Sequence, residues 1–188
     1  LSGVRRWKRY SRPGHEFEDV CQHTVQQTTL CLLMLHLERA HGNADGIDGE
    51  RLLACALLRD QGEGLLGDVQ WDVKQDPRLK PLLEEKEHEY FVREIVRPLP
   101  RSIAGAVERD FAPQDDLECR TGRFFRASEI VGYVIRAMHE YRSGHRKLAQ
   151  DVFVNQYEYI ATWAEEFTAV RLIFGQFRDE VERALRED

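Results

Sequence analysis

An apolar run of the 188-residue chain ends in charged residues of the types that carry acid, base or phosphate chemistry. The segment ACALLRDQGEGLLGDV places Arg59 and Asp60 directly after the apolar residues, and Glu63 and Asp68 follow among glycines. A charge carried into a protein interior has to be paired or coordinated, because desolvation of an isolated ion costs several kcal/mol. We therefore expect Asp60 to be buried beside a compensating cation.

Two further polar residues are predicted to face the interior. His23 lies in helical register with Val20, and Ser128 lies in register with Phe124 and Val131. Taken singly, such residues are ordinary core residues, since an inward serine usually bonds a backbone carbonyl and an inward histidine is most often a satisfied core side chain. Only their combination with the charged cluster suggests a site.

Four motifs follow one another along the chain in an order that is typical of one enzyme superfamily. They are RRW at 5–7, EDVCQHT at 18–24, ALLRDQGEGLLGDV at 56–69 and FFRASEIVGYVIRAMHEY at 124–141. In order, spacing and flanking pattern the chain resembles the HD-domain superfamily of metal-dependent phosphohydrolases. Within that superfamily it is most similar to the bacterial 5′-deoxynucleotidases, from about Arg5 into the last helix.

The resemblance implies a divalent metal, one of Mn, Co, Fe or Mg, which is held by imidazole and carboxylate ligands. In the family the metal polarises a phosphate and activates water. His23 takes the position of the first ligand, and Asp60 that of the Asp in a His-Asp doublet. Arg59 replaces the His of the doublet and Ser128 replaces a later Asp, so half of the metal shell is missing. Because an arginine has no lone pair and repels a cation, we expect Arg59 to pair with Asp60 or Glu63 and to substitute for the metal.

One alternative restores the shell. If the register of the later helix differs by one residue, Glu129 joins His23, Asp60 and Glu63 as a ligand. Otherwise Glu129 is a partly exposed carboxylate that is paired with a nearby arginine.

The resemblance also implies roles in catalysis and substrate binding. Glu63 and Asp68 match residues that position water, the leaving group or the sugar, which makes them the catalytic candidates. Arg6 and Trp7 match an Arg-Trp pair beside the phosphate and sugar of the nucleotide, and Arg59 is a third candidate for binding phosphate. The alternative for Arg6 and Trp7 is a basic N-terminal segment with an aromatic anchor on the core.

Apolar residues recur at helical spacing through most of the chain, which predicts an all-α protein, an HD-domain helical bundle in a single domain over residues 1–188. Asp48 is the expected N-cap of the second helix. Residues 62–81 are interpreted as a loop. The predicted helices are 17–40, 50–60, 82–96, 102–111, 117–141 and a long C-terminal helix from about 148 that continues toward the end.

Composition excludes several classes of protein. With 27 basic and 33 acidic side chains, and no basic stripe, a duplex nucleic-acid partner is disfavoured. The four cysteines show no C-x-x-C spacing, which favours reduced thiols in a cytoplasmic protein over zinc or disulfide frameworks. Apolar runs are too short to span a bilayer, so a membrane partner is not expected.

The sequence thus predicts an HD-domain hydrolase of the 5′-nucleotidase type with an altered metal site, whose partner is a nucleotide or another phosphorylated small molecule. Two alternatives remain open. One is a non-catalytic protein that binds such a ligand in the cleft where the family binds its substrate. The other is an interaction module whose aromatic-rich last helix pairs the subunits of a homodimer or binds a partner.

Overall fold

A computed structural model describes residues 6, 18–67, 69, 71–74, 76–111 and 116–186, which form helices and the segments that connect them. A 3₁₀ turn covers Arg59–Gly62, and a π-helical turn covers Val92–Val96. The all-α prediction is confirmed. The helices are α1 Val20–Ala40, α2 Gly49–Leu58, α3 Glu63–Leu66, α4 Trp71–Lys74, α5 Lys80–Phe91, α6 Arg101–Phe111, α7 Arg120–Arg142, α8 Arg146–Glu166, α9 Thr168–Gly175 and α10 Arg178–Ala184.

Two apolar clusters hold the bundle together. The main core lies among α1, α2, α7, α8 and α9. Its largest fully buried side chains are aromatic: Phe124, Phe125, Phe153, Phe167 and Phe174. A smaller cluster of Phe91, Val96 and Phe111 joins α5 to α6, with the Phe91 and Phe111 rings stacked 4.2 Å apart. Because α2 packs on the main core and on α6, its C-terminal end is fixed between the two clusters.

Helix α2 begins as the sequence predicts and ends two residues earlier. The Asp48 side chain accepts a hydrogen bond from the backbone of Arg51, so it is the N-cap. Helix α2 is buried on one side only, since Leu57 is 48% exposed while Leu52 and Cys55 are buried. The burial of Asp60 therefore depends on what packs around the 3₁₀ turn.

The C-terminal apolar pattern is divided among three helices instead of one. Helix α8 begins at Arg146, close to the predicted start, and ends where Phe167 adopts an extended conformation with φ −115° and ψ 120°. Helices α9 and α10 continue the pattern, and Phe167, Phe174 and Val181 are all buried. At each change of direction the chain turns back over the core. A straight helix of the same length would instead extend beyond the core.

A buried carboxylate ties α1 to the start of α9. Glu38 is fully buried, and its Oε1 accepts a hydrogen bond from the backbone N–H of Ala169 at 2.5 Å. Its Oε2 accepts one from Asn43 Nδ2 at 2.6 Å. The N-cap residue of α9, Phe167, has no capping side chain of its own. Glu38 therefore satisfies a backbone donor in the first turn of α9 and places a negative charge at the positive end of the helix dipole.

The structure describes the environment of the cysteines and the length and polarity of the helices. None of the four cysteines, all of which lie in the described ranges, forms a disulfide; Cys31 and Cys55 are buried whereas Cys21 is exposed. Cys119 caps α7 by accepting a hydrogen bond from the backbone of Gly122 at 3.2 Å. In the described part of the chain, the helices are too short or too polar to cross a lipid bilayer.

We predict that Glu38→Ala lowers the free energy of unfolding by about 3 kcal/mol, because it removes two charge-assisted hydrogen bonds and leaves a buried N–H without an acceptor. Urea denaturation measures the change. Glu165→Ala, at an exposed position of α8, is the control and is expected to change stability by less than ~0.5 kcal/mol. Equal midpoints for the two variants would contradict this role of Glu38.

Candidate active site

The predicted site residues of the first two helices meet at one carboxylate. Asp60 is 5% exposed, and its Oδ2 lies 3.5 Å from His23 Nε2. His23 lies in the first turn of α1, and its Nδ1 lies 3.5 Å from Glu18 Oε1. Its imidazole therefore lies between two acidic side chains.

Two arginines contact the same carboxylate. The Nε atom of Arg59 lies 3.0 Å from Asp60 Oδ1, and Nη1 of Arg6 lies 3.7 Å from Oδ2. Burial alone would raise the pKa of Asp60, yet the guanidiniums of Arg59 and Arg6 hold it below the ordinary value of 3.8. Burial would likewise lower the pKa of Arg59, but Asp60 opposes this and the net pKa lies above its usual range. Asp60 is thus a buried anion that is compensated by side chains.

The other end of Arg59 reaches α7. Its Nη1 forms an ion pair with Glu129 Oε1, and its guanidinium lies 5.7 Å from the ring centroid of Phe125. Glu129 also pairs with Arg126, whose Nη1 is 3.1 Å from Oε2. The sequence predicted a partly exposed Glu129 paired with an arginine. The pairing is present, but the exposure was wrong, since Glu129 is 3% exposed.

Ser128 faces the interior, as the sequence predicted, and it faces α1. Its hydroxyl donates to the backbone carbonyl of Phe125 at 2.6 Å and accepts from Gln27 Nε2 at 2.8 Å. Cys31 Sγ lies 3.1 Å from the same oxygen. Burial raises the pKa of the Cys31 thiol to about 11, so it is a neutral core group. The interior position of Ser128 is satisfied by neutral hydrogen bonds.

Glu63 pairs with a lysine that the sequence analysis did not consider. Lys74 Nζ donates to Glu63 Oε1 at 2.7 Å and lies 3.9 Å from Glu87 Oε1. Burial would lower the pKa of Lys74, but Glu63 opposes this and the net pKa is raised. Burial is also the main reason that the pKa of Glu87 is raised. Lys74 lies on α4, within the segment 62–81 that the sequence predicted to be a loop. Glu87 lies on α5, within the predicted helix 82–96. Neither residue belongs to one of the four sequence motifs.

The outcome for the remaining predicted residues is mixed. Arg59 pairs with Asp60 as expected, whereas Glu63 pairs with Lys74 and not with Arg59. Arg6 lies at the site, next to Asp60. Trp7 and Asp68 lie outside the described residues, so their roles remain predictions.

Comparisons with known proteins identify the family. The model of the YfbR-like 5′-deoxynucleotidases matches residues 1–174. The chain belongs to the YfbR-like 5′-deoxynucleotidase family. It is also similar to the crystal structure of an HD-domain phosphohydrolase from Listeria innocua, with a TM-score of 0.72, 19% identity and coverage of 98% of this chain and 87% of that chain. None of the curated proteins matches it.

The HD-domain fold raises the question whether these residues fit a divalent metal. The guanidinium of Arg59 lies against Asp60 on one side and Glu129 on the other. Across the described ranges, no group of three or more His, Cys, Asp or Glu side chains is arranged to hold a metal ion. The residues as placed do not fit a divalent cation, because a fixed positive charge already occupies the carboxylates that would bind it.

We predict that the stability of the protein depends on Asp60 in a defined pH range. Because the pKa of Asp60 is lower in the folded state than in the unfolded state, its contribution is fully present above about pH 4 and is lost as the pH falls through the folded-state pKa. At pH 7, Asp60→Asn should lower the free energy of unfolding by about 3 kcal/mol, because it leaves buried cations without their carboxylate.

Urea unfolding of the wild type and Asp60→Asn at pH 7 and at progressively lower pH tests the prediction, and the difference between the two should shrink below about pH 4. Asp45→Asn, at an exposed position of the α1–α2 connection, is the control. A difference that stays constant down to the acid limit would show that Asp60 is not held as an anion by its neighbours.

Proposed function

We propose that this chain is a nucleotidase-type family member that binds the phosphate of a 5′-nucleotide without a divalent metal and hydrolyses it poorly. The family match over residues 1–174 supports the nucleotide as ligand. The single observation that carries the metal-free part is the position of Arg59, whose guanidinium pairs with both Asp60 and Glu129.

A guanidinium replaces only part of what a metal supplies. It is a permanent cation with a planar set of donors that suits phosphate oxygens, so it stabilises a bound phosphate. It does not coordinate a water molecule, and therefore it does not generate a hydroxide nucleophile at neutral pH. Binding is retained in this proposal and the chemical step is impaired.

Other charged residues extend the proposed phosphate site. Arg6 lies on the same carboxylate as Arg59, and Lys74 lies beside Glu63 at the other edge of the 3₁₀ turn. Glu63 Oε2 is buried and accepts no hydrogen bond from the residues that the structure describes. An acceptor of this kind suits a donor on the ligand, such as a sugar hydroxyl or a water molecule. Asp68 and Trp7 are proposed for the sugar on the family resemblance alone.

Metal-dependent hydrolysis is the second candidate function. Membership of the YfbR-like 5′-deoxynucleotidase family favours it. Metal-dependent hydrolysis requires that the side chain of Arg59 move away from Asp60 and Glu129 when a metal ion binds. This movement separates two buried ion pairs, which costs free energy. The two candidates differ in metal content and in turnover, which are measurable on the same sample.

We predict that the purified protein carries less than stoichiometric transition metal and releases phosphate slowly from deoxynucleoside monophosphates. Elemental analysis and a phosphate-release assay with added Mn, Co, Fe or Mg provide the two measurements. A catalytically active homologue of the family, assayed in parallel, is the positive control. A tightly held ion together with efficient turnover would establish the second candidate instead.

We further predict that a deoxynucleoside monophosphate raises the melting temperature in the presence of a chelator, because its phosphate binds to fixed cations and needs no metal. Arg6→Ala should weaken this shift. Arg93→Ala removes a half-exposed arginine that pairs with its neighbour Glu94, and it should leave the shift unchanged. The absence of any shift for the wild type at millimolar nucleotide would argue against nucleotide binding.

A further inference from the structure

One side of helix α1 is exposed and carries no acidic or strongly basic side chain. Residues 20–37 contain no Asp, Glu, Lys or Arg, although 32% of the residues of the chain are charged. The buried side of the helix packs on α2, α7 and α9. Charged side chains usually cover the solvent side of an outer helix, so their absence here is unusual. We call the exposed side the α1 face, and it consists of Gln22, Val25, Gln26, Thr29, Leu32, Leu33 and His36.

The apolar residues of the α1 face are open to solvent. Val25 is 59% exposed, Leu33 is 56% exposed and Leu32 is 39% exposed. Helix α9 packs beside α1, and its Leu172 is also 39% exposed. Burial of apolar area stabilises a contact by roughly 25 cal/mol per Å², so these side chains favour an arrangement in which another surface covers them.

The α1 face is self-complementary about Thr29. Val25 lies four positions before Thr29 and Leu33 lies four positions after it. Two α1 helices that pack antiparallel about a two-fold axis at Thr29 therefore bring Val25 against Leu33 of the partner subunit. In the same arrangement Gln22, seven positions before the axis, meets His36 of the partner subunit, seven positions after it. Apolar contacts thus lie near the centre, and side chains that can form hydrogen bonds lie at the two ends.

The residue at the axis can be covered without losing a hydrogen bond. The hydroxyl of Thr29 donates to the backbone carbonyl of Val25 at 2.8 Å, so it is already satisfied within its own helix. A polar group that is buried without a partner would cost free energy, and Thr29 avoids this cost. Its methyl group is free to pack against the second copy.

The exposed apolar side chains of α8 are less suited to such a contact. Val154 and Tyr159 are 68% and 61% exposed. Glu158 and Glu165 are exposed on the same side of α8, at helical spacing from Val154. Two copies of this surface would bring carboxylates together, and like charges across an interface are destabilising.

We propose that the α1 face is the interface of a homodimer with two-fold symmetry, in which the two α1 helices pack antiparallel across Thr29. The chain has a net charge of −6, so two copies repel each other over most of their surfaces. This repulsion is smallest where the α1 faces meet, which makes a second copy of the chain the favoured occupant. The inference does not depend on the proposed function, because His23 contacts Asp60 on the buried side of α1.

Sedimentation velocity of the full chain at increasing concentration is the direct test. One helix face per copy gives a small interface, so we expect micromolar affinity and mostly dimer at about 100 μM. Leu33→Glu places a carboxylate against Val25 of the partner subunit and should raise the dissociation constant ~10-fold or more. Val154→Glu, at an exposed apolar position of α8, is the matched control and should leave the dimer unchanged. Melting temperatures of the variants report whether each of them is folded.

A wild type that stays monomeric at every concentration would overturn the proposal and would leave the α1 face to a different partner. A dimer that survives Leu33→Glu but is lost in Val154→Glu would also overturn it and would place the interface on α8.

A second substitution tests the antiparallel register. Val25→Lys combined with Leu33→Glu places each new lysine against a new glutamate of the other copy, so the double variant should regain the dimer that Leu33→Glu loses. In a parallel pair the same substitutions would place like charges together. A folded double variant that stays monomeric would overturn the antiparallel arrangement.

Chemical cross-linking tests the position of the axis. The two copies of residue 29 face each other across the axis, so Thr29→Cys should yield a covalent dimer with a short bismaleimide. The wild type is the control, because its exposed Cys21 lies eight residues from Thr29 and the two copies of Cys21 are then about 24 Å apart along the helices. Equal cross-linking of the wild type and the variant, or none in the variant, would overturn an axis at Thr29.

Discussion

The burial of one carboxylate, that of Asp60, constrains the arrangement of the residues around it. Asp60 lies at the end of an apolar helix, where an isolated anion would cost several kcal/mol, so cations must come to it from elsewhere in the chain. Arg59 comes from the preceding position and Arg6 from the N-terminal segment, and the imidazole of His23 on α1 lies 3.5 Å from the same carboxylate. The ion pairs that compensate Asp60 therefore also hold these three parts of the chain together.

The backbone around the 3₁₀ turn makes this arrangement compatible with close packing. A Cβ atom at Gly62 would lie 2.8 Å from the carbonyl oxygen of Glu87, so only glycine permits the turn to approach α5 this closely. That contact brings Glu63 and Glu87 to Lys74, and it buries the second charged cluster of the site. The charged groups around Asp60 and those around Glu63 are connected by the four-residue turn Arg59–Gly62. A shift of this turn would therefore move both groups.

Fold and chemistry are separable in this molecule. The bundle is built from apolar side chains on α1, α2, α7, α8 and α9, and none of them has to be a metal ligand. The side chains of Arg59 and Ser128 are accommodated without disturbing that core, since Ser128 is satisfied by neutral hydrogen bonds to Gln27 and Phe125. The helical architecture is thus compatible with a guanidinium at the centre of the charged cluster.

The sequence by itself determined the helical class, the N-cap at Asp48, the inward position of Ser128 and the need of Asp60 for a cation, because periodicity and the cost of burying charge act locally. Only the tertiary structure decided which partners these residues take. Glu129 is buried and pairs with Arg59 of the 3₁₀ turn, and Glu63 pairs with Lys74 eleven positions later. The C-terminal pattern is split where Phe167 adopts an extended conformation. Such pairings depend on distances between elements that are remote in sequence, and helical periodicity contains no information about those distances.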